Sequence, residues 1–112
     1  MEKIYKVLSV QTALMKSKPP QLAVTAYGMT RTSGWKNAEL QARVYINPPA
    51  DGILDFDFVA QTPDGVAADV LTPITAHTVL PSIPGWLKGV RVHSATNSVQ
   101  EALSAAKSLE LK

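Results

Sequence analysis

The residues able to do chemistry are few, and they cluster. Asp51-Gly52-Ile53-Leu54-Asp55-Phe56-Asp57 places three carboxylates within one short stretch. Asp55 and Asp57 stand two apart, so on a strand they share a face, with Asp51 in the adjoining turn. Three hard oxygen donors make a calcium-type set, and Asp51, Asp55 and Asp57 are the candidate metal ligands. Their spacing is not that of an EF-hand loop, which needs its glycine after the carboxylates and a glutamate further on. A plainer arrangement competes. A hairpin loop through 47–52 would let Arg43 lie opposite Asp57, where opposite charges contribute a few tenths to about 1 kcal/mol. A glycosidase needs opposed carboxylates with one desolvated, and two aspartates on a solvated face do not supply that. The Asp55/Asp57 face, with His93, is still the place where a small hydrolase would have to work.

His77 and His93 are the two histidines. Ser94 adjoins His93, but neighbours on a strand point to opposite faces, so the two cannot meet as nucleophile and base. No Gly-x-Ser-x-Gly elbow is present, and the histidine spacing is not that of a zinc site. Arg91 and His93 should share one face of the last strand as a small basic patch. Two loop tryptophans complete the candidates. Trp35 precedes Lys36, and Trp86 is followed two residues on by Lys88. A tryptophan on a loop is either an anchor for a partner or a sugar ring, or a lid on the end of a core. The candidate binding residues are therefore Trp35, Lys36, Trp86, Lys88, Arg91 and His93. Dinucleotide, phosphate-loop and metalloprotease fingerprints are absent, and no cofactor is implied.

Charge narrows the partners. The net charge is +2, with 11 Lys or Arg against 9 Asp or Glu. Residues 1–43 hold seven basic and two acidic residues; 51–69 hold five aspartates and no base; 88–112 hold four basic and two acidic residues. The basic residues are not gathered with aromatics as nucleic-acid binding requires. An acidic segment between basic ones suits contact between subunits, so the expected partner is a protein or a second copy.

The elements that must position these groups follow from period-two alternation. Ile4, Leu8, Val10 and Leu14 share a parity, with Lys6 and Thr12 as imperfections. Leu22, Val24 and Ala26 follow the Pro19-Pro20 break. Leu40, Ala42, Val44 and Ile46 alternate with polar residues, as do Leu54, Phe56, Phe58 and Ala60. Shorter alternations run through Val66, Ala68 and Val70, through Ile74, Ala76, Thr78 and Leu80, and through Val90 and Val92. The eight prolines fall between these segments or at their ends, where a missing donor costs no central ladder bond. Asp51-Gly52 and Asp64-Gly65 are turn pairs.

This pattern predicts an all-β, antiparallel β-sandwich of about seven strands with immunoglobulin-like topology, one domain over residues 1–112. The period then changes. Ser98 and Glu101 have capping-box form, and Val99, Ala102, Leu103, Ala106 and Leu109 recur at helical spacing. A short C-terminal amphipathic α-helix over about 98–110 is expected, marginal alone and so docked on a neighbour.

At 46% apolar and 18% charged the chain can build a core, and with no cysteine it has neither disulfides nor a thiolate site. No apolar run approaches the roughly 18 residues of a membrane span. Residues 1–15 read as mature sequence rather than a signal peptide. The expected function is a non-enzymatic binding or self-assembly module, possible as a homo-oligomer. The alternatives are a calcium-stabilised module or a small hydrolase on the Asp55/Asp57 face.

Overall fold

A computed structural model describes residues 1–103 and 107–110. Nine strands are described, β1 (Glu2–Lys3), β2 (Lys6–Lys16), β3 (Gln21–Thr30), β4 (Lys36–Ala42), β5 (Ile53–Gln61), β6 (Thr72–Leu80), β7 (Gly89–His93), β8 (Ser98–Ala102) and β9 (Lys107–Glu110). They form an all-β sandwich. One sheet runs β6-β3-β2-β9; the other runs β1-β5-β7-β8, with β4 also paired to β5. We call these the first and second sheets. β4 occupies one edge of β5, while β7 and then β1 share its opposite edge. Most pairs are antiparallel, but β5 pairs with β7 and β2 with β9 in parallel.

The alternation determines what lies between the sheets. Leu22, Val24 and Ala26 of β3 and Ala76 of β6 face Leu54, Phe56, Phe58 and Ala60 of β5 and Val90 and Val92 of β7 in one core. Phe56 and Phe58 are the largest of its fully buried side chains, so they supply much of its apolar payload. Gly28 is needed where a strand packs closely: a Cβ there would meet the Ile4 side chain and the Lys6 carbonyl.

In β2 the expected parity is corrected. Val7 is buried and Leu8 exposed. The register shifts between Val7 and Ser9, and this bulge takes up one residue, so Val7 and Val10 both point inward. The open edge of β2 at this point is capped by Asn97, whose amide accepts from the Val7 N–H at 2.9 Å and donates to its carbonyl at 2.8 Å. Thr12 also points inward, 5% exposed.

Two further expectations are corrected. Strand β4 stops at Ala42, so the alternation through Val44 and Ile46 leaves the sheet and both side chains are fully exposed. Residues 66–70 form no strand, and Val66 is fully exposed. In both stretches the backbone makes isolated bonds rather than a ladder, Arg43 N–H to the Asp55 carbonyl at 2.9 Å and Ser33 N–H to the Ala68 carbonyl at 3.0 Å, and propensity alone does not hold a strand in water.

The expected C-terminal helix over 98–110 is likewise corrected. Ser98–Ala102 is a strand, in register with β7 from His93↔Ser98 to Gly89↔Ala102, and Lys107–Glu110 pairs with β2. Residues 104–106 of that expectation lie outside the described residues. The physical reason is the edge of β7. Once β5 takes one side of β7, its other row of N–H and C=O groups needs a partner, and β8 supplies it. The helical signal was short and marginal by itself, so tertiary pairing overrode it. No described helix is long and apolar enough to cross a membrane.

Candidate functional site

The outward face of the second sheet gathers most of the chemistry. In the parallel β5–β7 pair, Asp55 lies beside Arg91 and Asp57 beside His93. Side chains of the same parity project together, so both carboxylates share the outward face with a guanidinium and an imidazole, and Asp55 meets them. Asp55 is the hub. His93 Nε2 lies 2.7 Å from its Oδ1, and Arg91 Nη1 donates to the same oxygen at 3.1 Å. The Tyr45 hydroxyl donates to Oδ2 at 2.6 Å and accepts from the Asp55 N–H at 3.0 Å. Arg91 also donates to Gln100 Oε1 of β8 at 2.9 Å and reaches Asp51 at 3.5 Å.

Asp57 forms a second cluster. Arg43 grips it through two hydrogen bonds, at 2.9 and 3.3 Å, and Lys3 stands 3.6 Å away. The expected Arg43–Asp57 pairing is therefore present. It is diagonal, since Gln41 is the residue directly across from Asp57.

The electrostatics follow from these contacts. Burial pushes the Asp55 carboxyl upward, but the hydrogen bonds from His93 and Tyr45 and the charge of Arg91 outweigh it, and its pKa ends below the usual carboxylate value. The hydrogen bond from Arg43 holds Asp57 low against a smaller opposing effect of burial. Burial, and then the hydrogen bond to the Asp55 carboxylate, raise the Tyr45 phenol. Both aspartates are thus ionised and engaged.

The calcium set does not assemble. Asp55 and Asp57 face cations, Asp51 Oδ1 accepts from the Ile53 N–H at 3.0 Å in its turn, and among the described residues no group of three or more His, Asp or Glu is arranged to hold a metal ion. Of the hydrolase candidates, His93 meets Asp55 at 2.7 Å, while Asp57 is held by Arg43 and Lys3. Ser98 lies across the ladder from His93, but no hydrogen bond joins them. Ser94 is buried and bonds Asn97 instead.

The six candidate binding residues separate. Trp86, Lys88, Arg91 and His93 follow one another along the lead-in to β7 and its outward face. Trp86 meets Tyr45 edge-to-face at 6.5 Å, and the Lys88 N–H donates to the Gly52 carbonyl at 2.8 Å. Gly52 has φ 71°, and a Cβ there would press on the Trp86 carbonyl and the Lys88 stem. Trp35 and Lys36 lie at the far end of β5, since Lys36 pairs with Gln61. Nine residues of strand, ~30 Å at the usual rise, separate the two tryptophans. Each tryptophan is half-buried against the core, and Lys36 forms an exposed ion pair with Asp64 at 3.1 Å.

Sequence reasoning did not find Tyr45 or Gln100 as members of the network. The available signal was the matched spacing of Asp55-x-Asp57 and Arg91-x-His93, two complementary pairs that fit if their strands are neighbours. No protein-family model matches this chain, and no curated protein or solved structure matches it.

Proposed function

We propose that this chain is a non-enzymatic binding and self-assembly module that associates with a second copy through the segment 43–50. One observation carries the reading: Val44 and Ile46 are fully exposed on either side of Tyr45, which is tied down to Asp55. An anchored extended segment with apolar side chains held outward suits docking, because exposed apolar surface is removed from water on contact. Each of the two side chains would contribute about 1.5–3 kcal/mol when buried.

The split charge supports a different mode from the one the sequence suggested. Basic and acidic segments close on each other within the chain, through Lys3, Arg43 and Arg91 to Asp57, Asp55 and Asp51 and through Lys36 to Asp64. Association is therefore apolar, and salt should weaken it little.

Sedimentation velocity across micromolar concentrations, at low and high salt, tests this. The native chain is expected to form a concentration-dependent dimer at both salts, and the Val44→Asp, Ile46→Asp double variant is expected to remain a monomer. A native chain that stays monomeric throughout overturns the reading.

A further inference from the structure

The end of the sandwich opposite Trp86 holds a feature that shares only Lys3 with the charged clusters. Tyr5 lies in the corner between β1 and β2, Arg31 follows the last residue of β3, and Trp35 leads into β4. With Lys3 and with Ala95 and Thr96 of the β7–β8 turn, they line a hollow of about 280 Å³. That is near the lower end of small-molecule sites, roughly 300–1,000 Å³. A second hollow, sharing Tyr5 and Arg31, opens beside Asp69 and Leu71.

Three properties of the first hollow define what it would take. Its walls are aromatic: Trp35 and Tyr5 are half-buried, and the Trp35 Nε1–H is already spent on the Thr32 hydroxyl at 3.1 Å, so this indole offers carbon surface. Its charge is positive: Lys3 and Arg31 are among its lining residues and no carboxylate is. Its cation is available. The Arg31 guanidinium lies 4.7 Å from the centre of the Tyr5 ring, and Arg31 makes no hydrogen bond or ion pair among the described residues. A guanidinium stacked on a ring keeps its N–H donors at its edge, in the fork that fits a carboxylate. Lys3 differs, because it also faces Asp57.

We propose that this hollow binds a small aromatic carboxylate, its ring against Trp35 and Tyr5 and its carboxylate on Arg31, with Lys3 as a weaker second cation. The site goes beyond the assembly reading and is independent of it, since Val44 and Ile46 lie past the other end of β4.

Phenylacetate is the probe, read by amide and indole NMR of the ¹⁵N-labelled full chain. The two tryptophan indole N–H signals give a built-in control. Phenylacetate is expected to shift the Trp35 indole and the Ala95 and Thr96 amides saturably while leaving the Trp86 indole in place. Phenylacetamide, which keeps the ring and loses the charge, and inorganic phosphate, which keeps a charge and loses the ring, should each bind at least tenfold more weakly. Arg31→Gln, at an exposed position, should weaken phenylacetate about tenfold or more, and Lys3→Gln should weaken it less. No saturable shift, equal binding of the amide or of phosphate, a response centred on Trp86, or undiminished binding by a folded Arg31→Gln chain would each overturn the proposal.

Discussion

The outward residues of β5 and β7 include Asp55, Asp57, Arg91 and His93; those of β3 and β6 include Ala23, Thr25, Tyr27, Thr75, His77 and Val79. Both faces come from the same inside–outside alternation, and both back onto the same core. On the second sheet the outward side chains form a charged network with a half-buried hub, Asp55 being 13% exposed. On the first sheet the central outward positions carry no formal charge, and the described side-chain bond there joins Thr25 to His77 at 2.9 Å in the open. A carboxylate survives partial burial when neighbouring strands bring donors to it. The parallel β5–β7 pair and Tyr45 do this for Asp55.

Removing the hub should have the largest effect. Asp55→Ala leaves Tyr45, Arg91 and His93 without their shared acceptor, and urea unfolding is expected to show a loss of about 1.5–3 kcal/mol, the usual range for hydrogen bonds to a charged group. A loss within error would mean that the network decorates the sheet and does not stabilise it.

Acid should act next, on the same face. Asp55 and Asp57 both have folded pKa values lowered from the ordinary one. The stability they add is therefore fully present above the unfolded carboxylate pKa of about 3.9 and is lost as pH falls through the folded values. Denaturation midpoints should drop on acidification below about pH 4, and Asp57→Asn should flatten part of that fall. An identical pH profile in the variant would show that the dependence comes from other groups.

The smallest effect belongs to the uncharged face. Thr25→Val removes the exposed bond to His77 and should change stability by no more than about 0.5 kcal/mol. A larger loss would erase the contrast between the two faces.

Much of the fold was legible because burial and alternation are the same fact seen twice. Leu22, Val24 and Ala26, like Leu54, Phe56, Phe58 and Ala60, are inward as their spacing requires. The site was legible in its parts, since Asp55 with Asp57 and Arg91 with His93 each declare a shared face. That these pairs meet was not legible. β5 and β7 are joined by a crossover through β6, which lies in the other sheet, and spacing within one strand says nothing about its neighbour.

Val44, Ile46 and Ser98–Ala102 show the same limit from the other side. The first two keep perfect alternation and no sheet, because a strand needs a partner's hydrogen bonds as well as its own pattern. The last carries a helix signature and forms a strand, because β7 offered an unpaired edge. The first hollow likewise joins residues from both sheets, Arg31 from the end of β3 and Trp35, Ala95 and Thr96 from around the second sheet.

The all-β class, the inward faces of most strands and the chemistry each outward face could carry are properties of the amino-acid pattern. Those properties depend on side-chain period and type, which are local. Which strands adjoin, where alternation ends and which charges neutralise which came from the folded arrangement. Those outcomes depend on hydrogen-bonding edges and partners supplied by distant segments, and no local pattern encodes them.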